Sequence, residues 1–115
     1  MAEADAEREA AVAELKRSFV FTGDSSVSAF LQEHRALSPL LLESIPELKR
    51  VFGQETVFQL RASMDGFGSL SLYAVAIWPG TVTEVRSALA RFDDEWWLPR
   101  SNRAGGYLTF TYELV

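Results

Sequence analysis

The hydrophobic pattern changes its period at Gly53, and this change constrains the fold more than any other feature of the sequence. Before Gly53, the apolar residues Leu41, Ile45, Leu48 and Phe52 recur at helical spacing. After it, the stretch TVFQLRASM alternates apolar and polar residues, as a half-buried strand does. A chain that carries both patterns in separate blocks is expected to pack helices against a sheet.

The second half of the chain contributes more strands and a further helix. The segment LSLYAVAIW is apolar on both faces. We expect it to be a central strand that is covered on both sides, or covered on one side and used for association on the other. The turn DGFGS joins it to the preceding strand as an antiparallel hairpin. Thr81 and Glu84 form a capping box at the start of a helix that is predicted to reach Trp97, and YLTFTYELV closes the chain as a strand.

The predicted fold class is therefore α+β, with N-terminal helices followed by a β-β-α-β unit whose mainly antiparallel sheet packs on helices. Residues 1–17 are acidic and rich in Ala and Glu, and they predict a helix that is loosely attached because its apolar stripe is thin. Residues 18–115 are predicted to form a single α+β domain. Within it, SFVFT is interpreted either as an edge strand or as an extended linker.

Helix boundaries in the first half are indicated by Ser and Pro. Ser25 or Ser26 is predicted to cap one helix. The pair Ser38–Pro39 is predicted to begin the next one, since Pro in a first turn loses no hydrogen bond. Pro46 is expected to kink or divide that second helix.

The charge balance and the absence of cysteine narrow the function classes. The chain of 115 residues has 11 basic and 16 acidic side chains and a net charge of −5. Such a balance opposes binding to nucleic acid or to an anionic membrane. Without cysteine, there is no disulfide, thiolate metal site or cysteine nucleophile. The amino terminus lacks a signal-sequence pattern and the apolar runs are too short for a membrane span, which predicts a cytoplasmic protein.

The stretch FDDEWWLPR supplies the candidate interaction surface, which consists of Asp93, Asp94, Trp97, Arg100 and Arg103. Trp97 has two interpretations: it packs against the sheet, or it is an exposed anchor for a partner. Consecutive helical carboxylates point in different directions and do not converge on one ion, so we predict a solvated acidic face paired with Arg100 or Arg103.

No catalytic, cofactor-binding or metal-binding residue is predicted. His34, the single histidine, is interpreted as an exposed residue at a helix end.

From about residue 39 to residue 115, the chain resembles a known family. The residues that carry the resemblance are a Leu-rich helix with ELKRVFG, two strands, a capped helix that ends in FDDEWWL, and a closing strand. This order is similar to a family of small uncharacterised bacterial proteins with a C-terminal FDxxWW segment. The resemblance implies a bacterial α+β domain and transfers no catalytic residue.

Two hypotheses on function follow. The first is a non-enzymatic protein-interaction or regulatory module that forms a homodimer or binds a partner protein, as antitoxins and immunity proteins do. The alternative is a small-ligand-binding protein or enzyme with Asp93, Asp94, Arg100 and Tyr107 around a pocket.

Overall fold

The computed structural model describes residues 2–64, 66 and 68–115, with side chains from residue 9 onward. The helices are α1 (Ala2–Ser18), α2 (Asp24–Glu33), α3 (Leu37–Phe52) and α4 (Val82–Phe92). The strands are β1 (Phe19–Thr22), β2 (Val57–Met64), β3 (Leu70–Trp78) and β4 (Leu108–Leu114). A π-helical turn (Asp93–Trp97) and a 3-10 segment (Leu98–Ala104) connect α4 to β4.

The strands form one sheet in the order β1-β2-β3-β4. The α+β class is confirmed, but the prediction of a mainly antiparallel sheet is wrong. Among the described strands, only β2 and β3 pair antiparallel, whereas β1 lies parallel to β2 and β3 parallel to β4. The reason is the connections: α2 and α3 separate β1 from β2, and α4 separates β3 from β4. A helical connection of this length returns the chain to the end where it started, so the next strand runs parallel.

The predicted order of N-terminal helices before the first strand also needs a correction. The segment SFVFT supplies β1, an edge strand that lies between α1 and α2 in the chain. The edge-strand alternative is thereby confirmed. Phe19 of β1 pairs with Phe58 of β2, and their rings make an edge contact at 6.3 Å. This contact places β1 on the sheet rather than in a linker.

Two predicted helix starts are shifted. The helix α2 begins at Asp24, after Gly23 with its left-handed φ of 72°, and it has no side-chain cap, so the prediction of Ser25 or Ser26 as cap is wrong. The helix α3 begins at Leu37, which leaves Pro39 in the first turn as expected.

Pro46 does not divide α3, which continues to Phe52. Proline removes one backbone donor from the helix. Leu40 and Leu41 before it and Leu48 after it are buried in the same core, and we attribute the continuity of α3 to this packing.

The hydrophobic core lies between the helices and one face of the sheet. Since side chains alternate along a strand, Phe58 and Leu60 of β2 point to this face, and they are buried there with Phe110 of β4. Phe92 of α4 is fully buried and contacts Phe110 with ring centroids 4.8 Å apart.

The C-terminal end of α1 belongs to this core as well. Leu15 is fully buried and Val12 packs beside it. The segment 1–17, which we predicted to be loosely attached, therefore has an anchor at Leu15.

The hairpin between β2 and β3 is antiparallel as predicted, with Met64 opposite Leu70. Of the turn DGFGS between them, Asp65 and Phe67 lie outside the described residues. Within the part of the chain that the structure describes, no helix has the length and apolar character needed to cross a bilayer.

Candidate functional site

The segment after α4 buries both of its adjacent tryptophans. Asp93–Trp97 is a π-helical turn, in which the Leu98 N–H donates to the Asp93 carbonyl. This i→i+5 bond widens the helix, so that successive residues are rotated less than in an α-helix. Trp96 and Trp97 consequently stack at 6.3 Å with an interplanar angle of 21°.

Trp97 packs into the core. Its side chain is 8% exposed and makes an edge contact with Phe110 at 4.7 Å. Of the two interpretations of Trp97, the structure favours packing against the sheet. The smaller rotation per residue in the π turn is absent from any helical-spacing argument, which is why sequence reasoning left the two interpretations open.

The arginines near this turn hold it in place. Arg100 Nη1 donates to the Trp96 carbonyl at 2.8 Å, and its guanidinium lies over the Trp96 ring at 5.0 Å. Arg103 Nη2 donates to Glu43 of α3 at 2.7 Å, and this hydrogen bond lowers the pKa of the Glu43 carboxyl. Both side chains therefore bind elements other than the acidic triplet.

The acidic triplet finds its basic partner on α3. Glu95 pairs with Arg50, whose Nη2 lies 3.3 Å away, so the prediction of Arg100 or Arg103 as partner of the triplet needs correction. Asp93 is half-buried, and burial together with the neighbouring Asp94 raises the pKa of its carboxyl. The described residues contain no cluster of three His, Cys, Asp or Glu side chains that could hold a metal ion.

His34 and Tyr107 form a separate aromatic stack. The ring of His34 lies 4.1 Å from that of Tyr107 and 4.4 Å from that of Phe30. His34 is half-buried rather than exposed as predicted, because these two rings enclose it. Tyr107 is thus engaged with α2, while Arg100 is engaged with Trp96.

The second face of the sheet, which we call the open face, exposes apolar side chains, whereas Trp97 is buried. It carries the residues of each strand that alternate with the core residues, from Val20 of β1 to Thr111 of β4. Val20 is 53% exposed and Val57 is 50% exposed. The described helices lie on the other face, where the core is. Exposed valines on one face of a sheet are typical of a face that another element or a partner can cover.

A polar network crosses the middle of the open face. Arg61 of β2 donates to Gln59 and forms an ion pair with Glu113 of β4, so its side chain crosses above β3. Val75 of β3 lies beneath this crossing and is only 3% exposed. The centre of the open face is therefore polar, and its exposed apolar side chains lie at Val20 and toward Val57.

A groove lies at the Val57 end of the open face; we call it the Trp78 groove. It has a volume of about 620 Å³. Its lining includes Phe52, Glu55, Val57, Ile77, Trp78, Pro79, Gly80, Glu84 and Val115. Val57 and Ile77 are register partners, so the groove and the open face share an apolar border.

The helix α4 forms one wall of the Trp78 groove through its capping box. The Thr81 N–H donates to Glu84 Oε1 at 3.0 Å, and the Glu84 N–H donates to Thr81 Oγ1 at 3.2 Å, which confirms the capping box predicted from the sequence. The Thr81 N–H and the Thr81 hydroxyl, which lies 2.9 Å from Oε1, both donate to the Glu84 carboxylate and lower the pKa of that carboxyl. The indole N–H of Trp78 is buried and has no acceptor among the described residues.

Comparisons of this chain with protein-family models, with curated proteins and with solved structures give no match. The similarity to the bacterial FDxxWW family therefore stays a prediction. Any functional assignment rests on the geometry of the chain itself.

Proposed function

We propose that this protein is a non-enzymatic protein-interaction or regulatory module that binds its partner through the open face of the sheet. The single observation that supports the proposal is the exposure of Val20 and Val57 on a sheet face that carries no described helix. Apolar side chains at these positions gain free energy when a partner removes them from water.

The chemistry of the other surfaces supports the same proposal. The candidate surface around Asp93, Asp94, Trp97, Arg100 and Arg103 has its tryptophan in the core and its arginines in intramolecular contacts. The tryptophan and both arginines of this surface are therefore already in contact with other parts of the protein. On the open face, by contrast, Val20 and Val57 are exposed and lie outside the buried core.

The partner is either a second copy of the chain or another small protein, as with antitoxins and immunity proteins. Sedimentation equilibrium over a wide concentration range reports self-association, and affinity capture from the native lysate reports a different partner. The double variant Val20→Lys, Val57→Lys is the test, because it charges the open face without touching the core. We expect it to abolish whichever association the wild type shows.

A control variant separates this effect from a general change of charge. Val82→Lys replaces another exposed valine, which is 42% exposed and lies in the first turn of α4. It should leave the association intact. A wild type that remains monomeric and captures no partner, or an association that survives the double variant, contradicts the proposal.

A small-ligand or enzymatic role at Asp93, Asp94 and Arg100 is the weaker candidate. The observation in its favour is the raised pKa of Asp93, since perturbed carboxyl groups concentrate at functional sites. Thermal-shift screening against metals and metabolites tests this role, because a ligand of the native state raises the apparent stability. A stabilising compound whose effect disappears in Asp93→Asn would favour it over the interaction module.

A further inference from the structure

We propose that the Trp78 groove binds a short segment of another protein that carries both apolar and basic side chains. This inference rests on the proposed interaction function and names the part of the open face that does the binding. Its basis is the combination of an apolar groove with acidic walls in a chain of net charge −5.

The size of the groove fits a few side chains of a peptide. Its volume of about 620 Å³ lies within the range of ~300–1,000 Å³ that is usual for ligand sites. Phe52 and Trp78 form part of its wall, with ring centroids 6.3 Å apart in an edge arrangement. Phe52 is buried and supports the half-buried ring of Trp78, which therefore offers a rigid apolar surface that costs little conformational entropy on binding.

The border of the groove toward the open face is also apolar. Val57 is 50% exposed and its register partner Ile77 is half-buried. A peptide side chain placed between them would cover both. The groove therefore selects at least one aliphatic or aromatic side chain.

The charges of the groove select basic groups. Glu55 and Glu84 are the charged side chains among its described lining residues, and that lining contains no Lys, Arg or His. Glu84 is held on the wall by its bonds to Thr81. Two carboxylates at the edge of an apolar surface attract a Lys or Arg that flanks the apolar part of a ligand, and they repel an acidic ligand.

The same charges disfavour a second copy of this chain as the occupant. Two copies of net charge −5 repel each other. Packing two open faces together would also remove the Arg61–Glu113 pair from water, and the desolvation of an ion pair offsets much of the gain from burying valine. The groove lies beside this pair and avoids that cost.

Trp78 provides a local signal for binding. Trp78 lines the groove and has a buried indole N–H, whereas Trp96 and Trp97 are in the core. In a nitrogen–proton correlation spectrum each indole gives its own resonance, and Trp78→Phe identifies the one from Trp78. A ligand in the groove shifts this resonance selectively.

The test uses the full chain and synthetic probe peptides. One peptide alternates Leu and Val between lysine ends, the second has the same centre between glutamate ends, and the third has lysine ends around a Gly-Ser centre. We expect calorimetry to show binding of the first peptide only, with a shift of the Trp78 indole resonance. Raising the salt concentration should weaken this binding, because exposed charges are screened.

Matched valine variants locate the binding on the surface. Val57 lines the groove, whereas the equally exposed Val20 lies on the same face outside the described lining. Val57→Lys is expected to weaken peptide binding by at least about tenfold, which corresponds to ~1.4 kcal/mol. Val20→Lys is expected to leave the affinity unchanged within roughly twofold.

The outcomes separate this inference from the proposed function. Equal binding of the lysine-ended and glutamate-ended apolar peptides, no binding of any of the three, or equal sensitivity to Val20→Lys and Val57→Lys would each overturn the groove inference. The interaction function would still stand if the wild type associates and the double variant Val20→Lys, Val57→Lys does not. A chain that binds the first peptide through Val57 but shows no association in sedimentation or lysate capture would support the groove and contradict the broader proposal.

Discussion

The two faces of the sheet are built from the same strands and differ in what their side chains do. In β2, Phe58 and Leu60 face the helices and are buried, while Val57 between Thr56 and Phe58 faces outward and is 50% exposed. These residues belong to the same strand and all favour strand conformation. The difference in their burial therefore arises from tertiary packing, because the helices cover one face of the sheet. A single strand can therefore bury one residue in the core and expose the next to solvent.

The face of the sheet that packs against the helices, which we call the covered face, should respond strongly to truncation, and Trp97, which packs on it, gives the largest expected effect. Trp97→Ala is expected to lower the free energy of unfolding by about 3–5 kcal/mol, because it leaves a cavity against Phe110. Urea titration measures this loss. Leu98→Ala is the neighbouring control: Leu98 is 59% exposed, and its loss should stay below about 0.5 kcal/mol. A loss below ~1 kcal/mol for Trp97→Ala would place Trp97 at the surface and remove it from the covered face.

A matched pair within β2 tests the contrast between the faces most directly. Leu60→Ala on the covered face is expected to cost about 2–5 kcal/mol of unfolding free energy, since Leu60 is fully buried. Val57→Ala on the open face is expected to cost less than about 0.5 kcal/mol. Both values come from urea titration under the same conditions. Equal losses would mean that the open face is covered in solution, for example by self-association.

The turn after β3 leads into the capping box of α4, and Gly80 is the position in it where a side chain has least room. A Cβ on Gly80 would lie 2.8 Å from Trp78 Nε1 and 2.9 Å from Glu84 Oε1. Gly80→Ala is therefore expected to displace the indole or the capping box, with a loss of about 1–3 kcal/mol in unfolding free energy. Gly66→Ala is the control, because a Cβ there meets no described atom within 4 Å. If both variants are equally stable, the wall of the Trp78 groove is looser than its packing indicates.

The smallest expected effect concerns Asp93, which is half-buried at the start of the π turn. Its folded-state pKa is raised by burial and by Asp94, so the folded protein holds the proton more tightly than the unfolded chain. The cost of ionising Asp93 is therefore absent below its ordinary value of 3.8 and appears as the pH rises through the raised pKa. Asp93→Asn should stabilise the protein at neutral pH by about 0.5 kcal/mol, the size of a charge effect near a helix C-terminus, and have no such effect at acidic pH. Urea titrations of Asp93→Asn and the wild type at neutral and acidic pH measure this stabilisation. If it is the same at both pH values, the cost of ionising Asp93 is not its cause.

Much of the fold could be predicted from local patterns. The strands β2, β3 and β4 follow from alternation, and the start of α4 follows from Thr81 and Glu84, whose bonds are local in the chain. The parallel pairings were missed because strand direction depends on how helices cross the sheet, and that is decided by packing between distant residues. The start of α2 was missed because the left-handed conformation of Gly23 moved the boundary to Asp24.

The candidate site was harder to predict than the fold. The two-sided apolar character of β3 indicated that a second sheet face could serve association, but the exposed valines of that face are Val20 of β1 and Val57 of β2. The burial of Trp97 could not be predicted, because a π turn directs both adjacent tryptophans inward and no spacing rule anticipates such a turn. The Trp78 groove joins residues from α3, β2, β3 and the start of α4, and no single segment of the sequence contains that combination.

The arrangement of the sheet also has a consequence for the order in which the protein assembles. Among the described strands, only β2 and β3 pair without an intervening helix. Closing a short loop costs less entropy than closing one that contains a helix, so this hairpin is expected to form early and the outer strands to join it later. Phe19 must find Phe58, and Leu108 must find Leu72, after the intervening helices have packed. The backbone amides of β1 and β4 should therefore exchange with solvent faster than those of β2 and β3, and the edges of the sheet are where the native protein should open first.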